Sequence, residues 1–320
     1  MIWNAVVAAL DDGDTFHSSV PLYLHPLAGR PILWHSLLAI AGTQPRPASV
    51  RDRVALAFVL VVSAVMIVVI GMAVFGSFVK VWPYNLSFTL NHYTYGFEEA
   101  GVDNAYRNSI VMALWCAALG AAITFAGAYW LDKTKGADGL RGPIRLQAMM
   151  PMAVPGMVLG IGYILFFNHP SNPLNFLYGT MTILVAATIV HFYSSSHLTA
   201  LTALKQLDNE FESVSASLKV PFYKTFWRVT VPVCLPTIVD ISRYYFVNAM
   251  TTISAVVFLY SPKTMLASIS IVQLDEAGAV GSAAAMATLI VATSAVVTVL
   301  SMVVEGWLLR RTQAWRRLGR

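Results

Sequence analysis

The 320-residue sequence predicts an all-α membrane protein of six transmembrane helices with both termini cytoplasmic, and three observations lead there. The residues are 57% hydrophobic and only 12% charged, about half the charged share of an ordinary soluble domain. Six separate stretches are apolar over the roughly 20 residues that a helix needs to cross about 30 Å of hydrocarbon. The basic residues are segregated between alternate loops, which orients the chain. A net charge of +5 does not indicate nucleic acid, because the cations stand beside apolar runs and no basic, aromatic-rich soluble module is present.

The predicted spans are residues 54–79, 108–131, 146–167, 177–199, 233–260 and 281–308. Pro151 and Pro155 interrupt the third, and prolines break the backbone ladder and kink helices. The fourth and fifth are the least apolar, since one carries His191 to His197 around Tyr193 and three serines, and the other carries Asp240 and Arg243. With the N-terminus inside, the inner segments hold sixteen Lys and Arg from Arg46 onward, whereas the outer loops hold only Lys80, Arg107 and Lys263. Short inner loops retain cations, so both termini are expected in the cytoplasm. Cys116 and Cys234 fall inside apolar segments without zinc-type spacing and read as packing residues, with no metal site or cofactor expected. Nothing before residue 54 reads as a cleaved signal peptide.

The longest inner stretch, residues 205–232, has a pattern of its own. Asn209 and Glu212 have capping-box spacing at the start of a short helix. Phe211, Val214 and Leu218 then share one face. A break at Val220-Pro221 leads into a second short helix, which ends at Pro232. This reads either as a surface-lying connector or as a docking element for a soluble partner.

At this hairpin the chain resembles the permease subunits of bacterial binding-protein-dependent ABC importers. That family carries a pattern of EAA, three residues, Gly, nine residues and I-x-L-P. Val229 and Val231 stand at its aliphatic positions before Pro232, while Ser213-Val214-Ser215 replaces EAA and Lys219 replaces the Gly. The resemblance runs from the first span to the C-terminus. PMAVPGMVLGIGYILFF is similar to the third span of permeases for ferric ion, thiamine, polyamines and phosphonates. FESVSASLKVPFYKTFWRVTVPVCLP and LLRRTQAWRR most resemble permeases for 2-aminoethylphosphonate. The resemblance implies an inner-membrane translocation subunit, domain 54–320, importing 2-aminoethylphosphonate or a related phosphonate, with ferric ion, thiamine or a polyamine as the alternative. It implies three partners besides membrane lipid: separate ABC ATPase subunits, a second permease half, identical or homologous, and a periplasmic solute-binding protein.

The chain has no G-x-x-x-x-G-K-[ST] phosphate loop, so ATP hydrolysis is expected on another subunit and no catalytic residue here. The expected coupling residues are Phe211, Glu212, Ser213, Leu218, Lys219, Phe222, Phe226 and Pro232. The aromatics among them have a plainer reading, packing on the permease itself. Asp240 and Arg243, at i and i+3, cost roughly 2.5–3.5 kcal/mol each at the centre of a span. They are therefore expected to pair with each other or to face a polar pathway.

Residues 5–35 resemble the opening of sugar-phosphate nucleotidyltransferases. The phosphate-holding Gly, Arg and Lys of that family are absent, and Asp11, Asp12 and Asp14 would repel a nucleotide. Residues 1–45 are thus expected to be a degenerate segment, joined by a basic linker at 46–53 to the membrane domain. A membrane-bound nucleotidyltransferase is the different-class alternative.

Overall fold

The structure is a computed structural model that describes residues 26–27, 30–31, 50–94, 97–98, 102–133, 138–207 and 210–312. Two compact units divide the chain, residues 1–69 and residues 70–320. In the first, β1 (Pro26–Leu27) and β2 (Arg30–Pro31) pair antiparallel, with Leu27 opposite Arg30. The long helix α1 (Val50–Phe78) starts there. Its run of Val, Ile, Leu, Met and Phe is apolar on every side, as a helix surrounded by lipid must be.

In the second unit, α1 gives way to a hairpin of β3 (Val79–Val81) and β4 (Asn85–Phe88). Helix α2 (Asp103–Trp115) places Asp103 in its first turn, where a carboxylate complements the helix dipole. It continues through a π-turn at Cys116–Gly120 into α3 (Ala121–Lys133). Next come α4 (Asp138–Ala153) and α5 (Gly156–Phe167), followed by α6 (Met181–Lys205). Two short helices, α7 (Glu210–Ser217) and α8 (Phe222–Thr225), precede α9 (Val231–Thr251), α10 (Ala267–Glu276) and α11 (Val280–Thr312).

Four described helices are long and apolar enough to cross a membrane, and the α4–α5 pair makes a fifth if it is counted as one broken span. Six were expected, and the difference has local causes. The third expected span is bent by 107° between Ala153 and Gly156. Pro155 lacks an N–H and drives the residue before it towards extended backbone, so the ladder stops there. A side chain from elsewhere reinforces the break. Ser194 on α6 donates to Ala148 O at 2.8 Å and accepts from Met152 N–H at 3.2 Å, entering the i, i+4 ladder of α4 in the turn ahead of the bend. The fifth expected span is helical only to Thr251, where Thr252 turns extended at ψ 138. Helix α9 is also polar for a span, with Thr237, Asp240, Ser242, Arg243 and Asn248 along it. Residues 252–266 form a partly buried segment, irregular but for a 3-10 turn at Pro262–Thr264, instead of a last helical turn.

The core is centred on α9. Tyr245 is fully buried, and its hydroxyl bonds with Thr124 of α3 at 2.8 Å. The ring lies over Gly120, where even a Cβ would come within 2.9 Å. Only a glycine at the π-turn lets α9 approach this closely. Gly160 of α5 serves the segment after α9 in the same way, with Phe258 3.0 Å from where its Cβ would be.

Candidate functional site

The expected hairpin is present. Helix α7 ends at Ser217, and the chain reverses with Val220 N–H donating to Ser215 O at 2.9 Å and Leu218 N–H to Val214 O at 3.0 Å. This six-to-one bond closes a Schellman-type cap, which places the residue before Val220 in the left-handed region. That residue is Lys219, at φ 55. The position where the resemblance implies glycine therefore keeps a glycine-like backbone while carrying lysine. Pro221 then fixes the entry to α8, and the Ser215 and Thr225 hydroxyls bond to each other across the two arms.

Between the arms lies a groove of about 760 Å³ lined by Val214, Leu218, Val220 and Val229, with Lys219, Lys224 and Arg228 at its edge. Leu218 is 71% exposed and Phe222 62%. Two apolar side chains so displayed beside three cations make an amphipathic surface. The ring of Phe226 packs 4.7 Å from that of Tyr129 and 6.0 Å from that of Phe125. It anchors the hairpin to α3. Ser213 is exposed, whereas Asn209 and the side chains of Phe211 and Glu212 lie outside the described residues.

The second arm has no end of its own. Helix α8, a π-turn at Phe226–Thr230 and α9 follow one another with helical backbone at each junction. Pro232 cannot donate to Arg228 O, and the wider π-turn spaces the chain around that missing bond.

Asp240 and Arg243 form an ion pair on α9, both side chains partly exposed. Asp240 also borders a smaller groove with Thr199, Thr202, Gln206, Thr237 and Glu305. His197 is buried and stacked 5.4 Å from the ring of Tyr193. His191 packs against Gly156 at the start of α5, together with Ser254. Cys116 and Cys234 are free and buried. Among the described residues no group of His, Cys, Asp and Glu is placed to hold a metal ion. Sequence reasoning missed Tyr245 and Gly120, and it picked out Ser194 among three serines without its bonds to α4; the glycine amid the alanines of CAALGAA was the one readable signal of a close helix contact.

The family profile described as binding-protein-dependent transport system inner membrane component matches residues 139–313, from α4 through the hairpin to the end of α11. The chain belongs to this family. Among relatives, a ferric transport system permease protein of Actinobacillus pleuropneumoniae is 31% identical over 248 residues, covering 76% of this chain and 35% of that one. A putative 2-aminoethylphosphonate transport system permease protein of Salmonella paratyphi A is 24% identical over 205 residues, covering 64% and 75%. The chain thus spans only about a third of the length of two ferric transport relatives that it matches, 35% and 30%. The fold matches a crystal structure of a bacterial ABC transporter involved in the import of the acidic polysaccharide alginate, at TM-score 0.64 and 15% identity over 82% of this chain and 97% of that one. The likeness of residues 5–35 to a nucleotidyltransferase gains no support, since only β1 and β2 are described there and the family match starts at residue 139.

Proposed function

We propose that this chain is a translocation subunit of a binding-protein-dependent ABC importer in a bacterial inner membrane. The observation that carries the proposal is the hairpin at 210–231, within the family match and continuous with α9. Import against a gradient requires energy, and the reading assigns ATP hydrolysis to a separate pair of subunits. Their closure would press on Leu218, Lys219 and Phe222, with Ser213, Phe211 and Glu212 on the first arm. Pro232 and the π-turn would pass the displacement into α9, and Phe226 would share it with α3. In this reading α9 is the fifth of six spans, both termini are cytoplasmic, and a second permease half completes the pathway. A periplasmic binding protein delivers the solute. Residues 1–45 are an appendage, and 46–53 is a basic linker that helps hold the N-terminus inside.

For the solute, ferric ion and 2-aminoethylphosphonate stand level, each supported by relatives of modest identity. The deciding experiment is uptake of radiolabelled iron(III) and of labelled 2-aminoethylphosphonate by cells with and without the gene. Gene-dependent uptake of one assigns it. Uptake of thiamine or a polyamine instead would move the solute within the same architecture, and no gene-dependent uptake of any of them would overturn the importer reading.

A further inference from the structure

We propose that the β3–β4 hairpin lies in the membrane–water interface and binds lipid at the boundary of headgroups and acyl chains, fixing the depth of α1. Between residues 79 and 90 the only charged side chain is Lys80, and the rest includes Val81, Trp82, Tyr84, Leu86, Phe88 and Leu90. One side of the hairpin is fastened to its own unit. Tyr93 bonds to Ser77 at 2.6 Å, Thr89 N–H donates to Phe78 O at 2.8 Å, and His92 Nε2 bonds with Val79 O at 3.0 Å while its ring covers Gly281 of α11. The other side is free and apolar, with Tyr84 90% exposed and Phe88 78%. The rings of Trp82 and Phe88 meet Phe75 of α1 edge-on, each at 6.3 Å. This aromatic surface therefore continues from the end of α1, a helix long and apolar enough to cross a membrane. Continuity with that helix is what selects lipid as the occupant.

The backbone sets the depth. In a two-stranded sheet the outward N–H and C=O groups have no neighbouring strand to pair with, Ser87 N–H turning to Asn85 Oδ1 at 3.1 Å, and hydrocarbon does not tolerate such groups left unmet. Headgroups and interfacial water satisfy them, while Trp and Tyr favour that same level and Lys80 reaches the aqueous side along its aliphatic stem. The inference holds whichever face of the membrane the hairpin occupies, and it does not depend on the transported solute.

The test places an environment-sensitive NBD label at Tyr84→Cys and, separately, at Phe88→Cys in the full chain, assembled with its partners in phosphatidylcholine–phosphatidylglycerol nanodiscs. Both positions are exposed, so folding is not at stake, and the native cysteines are buried. Lipids with a quenching doxyl group at carbon 5 are compared with lipids carrying it at carbon 12. An interfacial hairpin gives about twofold or greater quenching by the shallow probe relative to the deep one. A label at Ile67→Cys, in the middle of α1, provides the reverse order as a depth standard. Absence of quenching by either lipid overturns the proposal, and label protection that appears only on adding solute-loaded binding protein reassigns the face to protein. Stronger quenching by the deep probe at Tyr84 and Phe88 also overturns it.

Discussion

Replacing Lys219 with glycine should stabilise the hairpin turn. A non-glycine residue held at φ 55 brings its Cβ against the following carbonyl, at a cost of about 1–2 kcal/mol. Glycine removes that clash, but it also frees the unfolded chain by about 0.4–1 kcal/mol. The net gain is roughly 0.5–1 kcal/mol, or about two- to fivefold in a local opening equilibrium. The amide of Val220 reports it directly, because its N–H is held by Ser215 O at 2.9 Å only while the cap is closed. Hydrogen–deuterium exchange at Val220 should therefore slow two- to fivefold in Lys219→Gly. It should quicken in Lys219→Val, since a β-branched residue is still less suited to this backbone. Lys219→Asn separates backbone from charge, as asparagine enters the left-handed region easily but carries no cation. If ATPase retention falls equally in the Gly and Asn variants while Val220 protection rises or holds, the ammonium contributes to docking. Equal exchange at Val220 in the Gly, Val and wild-type chains would refute the strain argument.

Three further outcomes can be measured on the same protein. Leu218→Asp should insert normally, because the side chain is 71% exposed, yet lose ATPase on co-purification, since a buried unpaired charge is strongly penalised at an apolar contact; normal retention with normal ATPase stimulation would make the hairpin a mere connector. Gly120→Ala should destabilise the bundle by about 1–3 kcal/mol in detergent unfolding, because its Cβ would meet the Tyr245 ring at 2.9 Å, and Tyr245→Leu should restore part of that loss. Ser194→Ala leaves Ala148 O and Met152 N–H without their hydroxyl partner, costing about 1–3 kcal/mol, and spin labels placed on either side of Pro155 should report a broader spread of bend angles.

Much of the helical framework was legible because apolar length is a strong signal. The expected spans 54–79, 108–131, 177–199 and 281–308 each fall mainly within a helix that passes the same test in three dimensions. The prolines at 151 and 155 announced a kink but not a bend of 107°, which also involves a serine on another helix. In a bilayer, lipid and protein core are equally apolar. Hydropathy therefore cannot distinguish α11, with 6% of its most apolar stretch buried, from the α2–α3 span, with 39% buried. In the hairpin, the proline, the break and the two arms were readable from residue types. The left-handed backbone at Lys219 was not, because the residue that usually marks it is missing. The β3–β4 hairpin escaped notice because seven residues of strand among long apolar helices leave little periodicity to detect.

The unbroken helical path from Phe222 to Thr251 has a mechanical corollary. One close lateral contact along it is where Tyr245 meets Gly120, and that contact taken as a fulcrum divides the path into two arms. At 1.5 Å per residue, Phe226 lies about 28 Å to one side of it and Thr251 about 9 Å to the other. Moving as one body, such a beam has arms in a ratio of about three to one. A swing of 3 Å at the hairpin would reach the segment after Thr251 as about 1 Å in the opposite direction, with correspondingly greater force. In the proposed importer, a large, weak motion of the hairpin would become a small, strong motion at the other end of the beam.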